Sequence, residues 1–250
     1  MWEIDLSGTT ALVTGASRGI GRAIALGLAE AGADVVVTAR SEGDLESLGE
    51  EIKQRGPASL PLAADLADGD SIGELVHRAW GWNEGLDVLV NAAGIIIRRD
   101  PPDATGDDFD QVMAVNLRAP FLLTQAIGWQ MRDRGTGSIV NVASVAGEEV
   151  TGASLIYQAS KAGLVHLTRG FASRLAPSVR VNAVGPGYIR TSLNEEWLSN
   201  ADNARYVKER TASGRVGVPE DVVGAVVFLA SPAASYVNGQ HLRIDGGWGF

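Results

Sequence analysis

Seven short apolar runs punctuate the chain, at residues 11–14, 34–39, 59–64, 86–91, 138–143, 179–184 and 241–245. Most are rich in Val, Leu or Ile and continuous, not alternating, which fits strands covered on both faces. Between them lie stretches whose apolar positions recur at helical spacing, among them 19–31, 41–55 and 71–82. Two longer helical stretches, 107–134 and 154–175, carry apolar residues on more than one side. Phe121, Leu122, Ile127, Trp129 and Met131 cannot all face one sheet from a single helix, so some apolar surface is left for a partner. Alternation of strand and helix, about six times over, predicts a doubly wound α/β fold. No repeat, low-complexity tract or linker divides the chain, so residues 1–250 read as a single domain. The rhythm breaks once. After Val184 comes Gly185-Pro186-Gly187, then a strand-free stretch to Pro219 in which 195–210 predicts one or two short helices. An excursion beyond a strand's carboxyl end is the usual place for a binding lid, here about 188–215. Its many polar residues predict few apolar contacts, while Trp197, Leu198 and Tyr206 give it one face to close over a ligand.

Composition narrows the field. The chain has 250 residues, 45% hydrophobic and 20% charged, ample for a real core. Cys is absent, which excludes disulfides, a Cys-ligated zinc and a Cys nucleophile. The formal charge of −9 disfavours sequence-independent nucleic-acid binding. The opening MWEIDLSGTT carries two acids and no base, unlike a secretory signal, and no long apolar run spans a membrane. The expected location is the cytoplasm. His77, His166 and His241 lack metal-ligand spacing and read as structural, so no metal is expected. Trp2, Trp80, Trp82, Trp129 and Trp248 read as packing or interface residues.

The first strand runs into Thr14-Gly15-Ala16-Ser17-Arg18-Gly19-Ile20-Gly21, and a helix follows. Glycines let backbone approach a ligand closely, and the helix end offers free N–H groups and positive potential, which suits a pyrophosphate. At the end of the second strand an NAD-binding fold usually carries an acid for the ribose 2′-OH. Here stand Ala39 and Arg40, and Arg18 can converge with Arg40. Two guanidiniums suit a 2′-phosphate, so NADP(H) is favoured over NAD(H).

Ser144 closes the fifth major strand, and Tyr157-Gln158-Ala159-Ser160-Lys161 opens a helix. Tyr157 and Lys161, four apart, share a helix face. A nearby ammonium favours phenolate, so the Tyr can exchange a proton with an alcohol or carbonyl oxygen that Ser144 also holds. Asn116 sits among apolar helical residues, and its amide needs partners: neighbouring backbone, or a water that feeds protons towards Lys161.

Together, Thr14-Gly15-x-x-x-Gly19-x-Gly21, Asp65, Asn91-Ala92-Ala93-Gly94, Asn116, Ser144, Tyr157-x-x-x-Lys161 and Pro186-Gly187 resemble the short-chain dehydrogenase/reductase family, in order and at family spacing. The resemblance implies a Rossmann-type, seven-stranded parallel sheet and nicotinamide-dependent redox chemistry at a C–OH/C=O centre. It implies that Tyr157 is the acid/base, that Lys161 lowers its pKa and binds the nicotinamide ribose, and that Ser144 orients the reacting oxygen. Asn116 would position a relay water. Asp65, with Leu66 beside it, would contact the adenine, and Asn91, Ala92, Ala93 and Gly94 would line the cofactor cleft. Pro186, Gly187, Ile189 and Thr191 would bracket the nicotinamide amide and pyrophosphate. It also implies helices that pack across two-folds in a homotetramer. The family's usual second Asn is Ala92 here, and Arg174 stands where many relatives have an acid.

The run Ile95-Ile96-Ile97-Arg98-Arg99-Asp100 and the closing Asp245-Gly246-Gly247-Trp248 resemble gluconate 5-dehydrogenase and 2-deoxy-gluconate 3-dehydrogenase members of that family. A sugar acid carries a carboxylate that Arg98 or Arg99 can pair. Trp197 can cover the substrate, and Glu148 and Glu149 either edge the substrate mouth or face solvent. A 3-oxoacyl thioester on acyl carrier protein is the rival substrate, and a non-catalytic dinucleotide-binding regulator the rival role.

Overall fold

The computed structural model describes residues 4–249; Trp2 lies outside them. All seven expected strands form: β1 (Thr10–Thr14), β2 (Asp34–Ala39), β3 (Ser59–Ala63), β4 (Val88–Asn91), β5 (Gly137–Val142), β6 (Val179–Pro186) and β7 (His241–Ile244). They make one parallel sheet in the order β3-β2-β1-β4-β5-β6-β7. Chain direction along the sheet reverses between β1 and β4, and the crevice outside their carboxyl ends is where such sheets receive a ligand.

The sheet separates two helical layers. On one face α1 (Gly19–Glu30), α2 (Glu42–Gln54) and α9 (Glu220–Ala230) bury Ile24, Leu28, Leu48, Ile52, Val226 and Leu229 against Val13, Val35, Val90 and Val140. On the other α3 (Gly69–Trp80), α5 (Ala119–Arg134) and α6 (Leu155–Leu175) bury Leu75, Leu123, Ile127, Met131 and Leu175 against Leu12, Val36, Leu89 and Ile139. Adjacent strand residues thus supply opposite layers, which explains the continuous apolar runs.

Boundaries move where a cap or a proline decides. Helix α3 starts two residues earlier than the apolar pattern predicts, because the Asp68 carboxylate accepts from the Asp70 N–H at 3.1 Å. The expected helix over 107–134 is instead α4 (Gly106–Met113), a π-turn (Ala114–Arg118) and α5. Pro120 has no N–H to give the Asn116 carbonyl four residues back, and its ring crowds that carbonyl, so the helix widens there.

A side-chain ladder runs through the interior. Asn91 Nδ2 donates to Asn141 Oδ1 at 2.8 Å, Asn141 Nδ2 to Thr168 Oγ1 at 2.9 Å, and Thr168 Oγ1 to the Leu164 carbonyl at 2.8 Å. These buried groups tie β4 to β5 and β5 to α6, so they fix the helix that carries Tyr157 and Lys161.

The segment after β6 contains the two short helices, α7 (Glu195–Leu198) and α8 (Ala201–Arg210). It departs from the expectation of few apolar contacts. Leu198, Val207 and Trp248 are buried together, with Tyr188, Trp197 and Val216 packed against them. The Ala212 and Ser213 N–H groups donate to the Gly247 and Gly246 carbonyls, and the Gly249 N–H to Arg210, so the C-terminal segment is its floor. The polar residues that dominate its sequence mostly face outwards, while a few aromatics supply the packing.

Candidate active site

One cleft of about 580 Å³ lies outside the strand ends. Its floor is built by a close crossing of two loops. The Thr14 hydroxyl accepts from the Ala92 and Ala93 N–H groups at 3.0 and 3.1 Å. Gly15 adopts φ +65°, and a β-carbon there would stand 2.7 Å from the Ala93 Cα. A β-carbon on Gly21 would collide with the Gly15 carbonyl. Only glycine permits the crossing and the positive φ. No side chain caps the start of α1, which leaves its first N–H groups free.

Gly15, Ser17, Arg18, Gly19, Ile20 and Gly21 line this part of the cleft. Arg40, Asp65 and Leu66 line its outer end, together with Ser41 and Asp44, which sequence reasoning did not single out. Arg18 and Arg40 are exposed and, among the described residues, neither forms an ion pair. Ala92, Ala93 and Gly94 line the middle, and Pro186, Gly187, Ile189 and Thr191 the opposite wall. Asn91 does not reach the cleft: it is 2% exposed, behind the strand end, and its amide belongs to the interior ladder.

The inner end gathers Ser144, Tyr157 and Lys161. Ser144 sits at the N-cap of a short 3₁₀ turn (Val145–Gly147), where its Oγ accepts from the Ala146 N–H at 3.1 Å. Its hydroxyl faces the Tyr157 phenol closely enough to favour the phenolate. Ser154 caps α6, its Oγ accepting from the Tyr157 N–H at 3.4 Å, so Tyr157 stands in the first turn and Lys161 one turn further on. Lys161 is 3% exposed, donates from Nζ to the Val142 carbonyl at 2.8 Å, and lies 5.7 Å from the Tyr157 ring centroid. A β-carbon on Gly94 would be 3.5 Å from Nζ, so that glycine lies directly over the ammonium.

Burial pushes both groups towards neutrality. Lys161 falls from 10.5 to about 8, by desolvation. The Tyr157 phenol rises, chiefly by desolvation, while the Ser144 hydroxyl and the Arg98 charge pull it back. The expectation that an ammonium lowers the phenol pKa therefore does not describe the protein alone, where desolvation of the phenol dominates.

Asn116 is fully buried and does not line the cleft. Its Oδ1 accepts from the Ile95 N–H and its Nδ2 donates to the Ile95 carbonyl, both at 2.9 Å, and to Ser160 Oγ at 3.1 Å. The amide is satisfied by backbone and a hydroxyl, so a water would have to meet the Asn116 main-chain carbonyl, the group denied its helical donor by Pro120.

The adjacent arginines part company. Arg98 lines the cleft, whereas Arg99 Nε binds Asp108 at 2.8 Å, on the carboxylate that completes the capping box of α4 with Thr105. Trp197 lines the cleft, stacked on Tyr188 at 5.5 Å. Tyr188 was missed in the sequence, although its place directly after Pro186-Gly187 signals it. Glu148 and Glu149 do not line the cleft. Glu148 faces Arg169 and the buried ring of His241, and Glu149 is bound by Arg243.

The glycine floor, the uncapped helix start, two free guanidiniums at one end and a buried ammonium at the other fit a dinucleotide lying along the cleft. A Rossmann-type fold with Ser, Tyr and Lys at its inner end defines a nicotinamide-dependent oxidoreductase. The comparisons agree: a family model described as enoyl-(acyl carrier protein) reductase matches residues 15–249. The chain belongs to the short-chain dehydrogenase/reductase family, and it is an NAD(P)-dependent enzyme acting on CH–OH. It is 37% identical to gluconate 5-dehydrogenase of Gluconobacter oxydans, over 97% of this chain and 95% of that protein. It is 38% identical to a 3-oxoacyl-[acyl-carrier-protein] reductase of Aquifex aeolicus, over 98% and 99%. Among solved structures, a protein from Beutenbergia cavernae assigned as a gluconate 5-dehydrogenase, with NADP at low occupancy, is 41% identical with a TM-score of 0.95, covering 99% of both chains. A gluconate 5-dehydrogenase from Burkholderia cenocepacia in complex with NADP and tartrate is 35% identical with a TM-score of 0.94, covering 98% and 96%. No helix among the described residues is long and apolar enough to cross a membrane.

The buried ammonium has a measurable cost. The folded value of Lys161 lies below the unfolded one, so the unfolded chain binds more protons between about pH 8 and 10.5. The penalty is complete below pH 8 and fades as pH rises through that window. At about 1.36 kcal/mol per pH unit, less about 1 kcal/mol for the bond to Val142, Lys161→Met should stabilise the fold by roughly 2 kcal/mol at pH 7 while abolishing turnover. Urea titrations at pH 7 and 10 measure this: the gain should shrink at the higher pH, and a variant less stable at pH 7 refutes the reading.

Proposed function

We propose that this protein is an NADP(H)-dependent dehydrogenase/reductase that interconverts a secondary alcohol and a ketone on a sugar acid of the gluconate type. The observation that carries the substrate class is Arg98: a guanidinium with no ion-pair partner among the described residues lines the cleft, and its charge acts on the Tyr157 phenol. A cation beside the acid/base suits a substrate with a carboxylate near its reacting carbon. Gluconate-acting relatives, and a neighbour holding a small hydroxy-dicarboxylate, support the reading.

In the mechanism we infer, the nicotinamide, when bound, supplies or accepts the hydride. Ser144 donates a hydrogen bond to the substrate oxygen and holds it against Tyr157. In ketone reduction the Tyr157 hydroxyl gives its proton to that oxygen as charge builds there; in alcohol oxidation it takes the proton back. Lys161, held by the Val142 carbonyl, orients the nicotinamide ribose and adds positive potential as the phenolate forms. A water on the Asn116 main-chain carbonyl links Lys161 to solvent. Asp65 and Leu66 receive the adenine, and Arg18 and Arg40 the 2′-phosphate. Residues 188–215 act as the lid, with Trp197 over the substrate.

We further read the enzyme as a cytoplasmic homotetramer. Helix α5 turns Leu123, Ile127 and Met131 inwards, while Phe121, 37% exposed, stands outside and meets the Phe171 ring at 5.7 Å. Trp129 lies edge-on to the buried Phe171 ring at 5.9 Å, so Phe121 and Trp129 leave partly exposed aromatic surface on α5 beside α6. Such a face suits burial across a two-fold.

An activity screen with both cofactors over aldonates, keto-aldonates, neutral polyols and acetoacetyl thioesters tests the substrate, and preferred turnover of the thioester favours the rival. On the best substrate Tyr157→Phe should cost about 10²–10⁴ in kcat with cofactor affinity nearly intact, as measured by stopped-flow and titration. A Phe variant with a third of wild-type rate removes Tyr157 from the mechanism. Arg40→Asp should move the NADP(H)/NAD(H) preference towards NAD(H) by at least about tenfold in kcat/KM, since hydrogen bonds to charged groups are worth about 1.5–3 kcal/mol. A wild type that already prefers NAD(H) tenfold overturns the phosphate assignment. Sedimentation at micromolar concentration should give a tetramer, and a monomer refutes the assembly.

A further inference from the structure

We propose that Tyr188 is a substrate-specificity residue: its phenol O–H and the Arg98 guanidinium together receive the substrate carboxylate at the inner end of the cleft. This rests on the sugar-acid reading and names the second half of the carboxylate site.

Tyr188 follows directly on Pro186-Gly187 and lines the same cleft as Ser144, Tyr157 and Arg98. Its main chain is pinned, because the Gly217 N–H donates to the Tyr188 carbonyl at 2.9 Å and the neighbouring Ile189 bridges to Gly217. Its ring is clamped between two indoles: stacked on Trp197 at 5.5 Å with planes 24° apart, and tilted on Trp248 at 4.8 Å. An aromatic held this firmly loses little further freedom when it binds a ligand, which is what a specificity contact needs.

Despite that fixed position, the Tyr188 hydroxyl has no hydrogen-bond partner among the described residues. It is also absent from the fully enclosed, unpartnered polar atoms, so it retains access to solvent or ligand. Packing alone would be served by Phe; a phenol on a cleft wall keeps a donor in reserve. The donor form is secure, since burial and the neighbouring Tyr206 phenol raise the Tyr188 pKa above its ordinary value. Two guanidiniums act on Tyr188, those of Arg98 and Arg210; Arg210 lies over the Tyr206 ring and does not line the cleft, whereas Arg98 lines it and acts on Tyr157 as well. One neutral donor and one cation lining the same cleft match the two oxygens of a carboxylate. A thioester, with no charge at this position, gains little from either.

The test is Tyr188→Phe, which keeps the ring and its stacking, assayed as holoenzyme with a sugar acid and with the neutral polyol of the same chain length. The ratio of kcat/KM for acid over polyol should fall at least about tenfold, the loss lying in KM for the acid, as expected for a hydrogen bond to a charged group. Arg98→Met should lower the same ratio further, and the double variant should lose less than the sum of the two effects, because both act on one carboxylate. A Phe variant with an unchanged ratio, while the wild type turns over sugar acids, overturns the Tyr188 assignment alone. A wild type inactive on every sugar acid overturns the substrate reading and the clamp with it.

Discussion

A positive charge taken out of water at the carboxyl end of the sheet is the constraint around which this site is arranged. Lys161 is nearly inaccessible and holds a strand carbonyl. Nothing acidic neutralises it among the described residues. Such a group costs stability unless its surroundings are fixed. The structure around it is correspondingly rigid. The Asn91–Asn141–Thr168 ladder secures α6 to the sheet, Ser154 sets where that helix begins, and Asn116 locks the Ile95 backbone above it. Each of these polar contacts looks like internal carpentry, yet each places the ammonium, the phenol or the glycine that covers them.

The inner end of the cleft therefore combines two opposing environments. Tyr157 and Lys161 are both driven towards their neutral forms by burial, while Ser144 and Arg98 favour the phenolate. A site balanced in this way responds strongly to any charge brought into it, because the low local polarity leaves new charge little screened. The protonation state of the phenol thereby becomes conditional on what else occupies the cleft.

Much of this was legible in the primary structure, and the reasons are local. Continuous Val-rich runs mark strands covered on both faces, and the bounds came within two residues. The glycine loop and the Tyr157–Lys161 spacing are short-range patterns whose geometry follows from the turn and the helix themselves. What escaped depends on partners distant in sequence. Arg98 and Arg99 are indistinguishable in the chain, and only the Asp108 capping carboxylate separates them. The family resemblance puts Asn91 in the cleft together with Ala92, Ala93 and Gly94, but its neighbour across the sheet, Asn141, holds it inside. The break in the helix at Ala114–Arg118 had a visible cause in Pro120, whose effect falls four residues upstream. The segment after β6 looked loosely held because its apolar residues are few, and its anchor, Trp248, comes from the far end of the chain.

The distribution of the cleft's walls among loops has a consequence for how such an enzyme can change over generations. Arg18 and Arg40 stand on the loops that follow β1 and β2, whereas Arg98 and Tyr188 stand on those that follow β4 and β6. The Ser144, Tyr157 and Lys161 group rests on separate elements between them. Contacts that share no partners contribute nearly independently. On the roles proposed above, coenzyme preference at the β1 and β2 loops can therefore drift separately from substrate preference at the β4 and β6 loops, whereas a change at Arg98 also bears on the Tyr157 phenol. Divergence in coenzyme use thus asks for no change at the substrate end of the cleft, while divergence in substrate must keep the phenol's surroundings in balance.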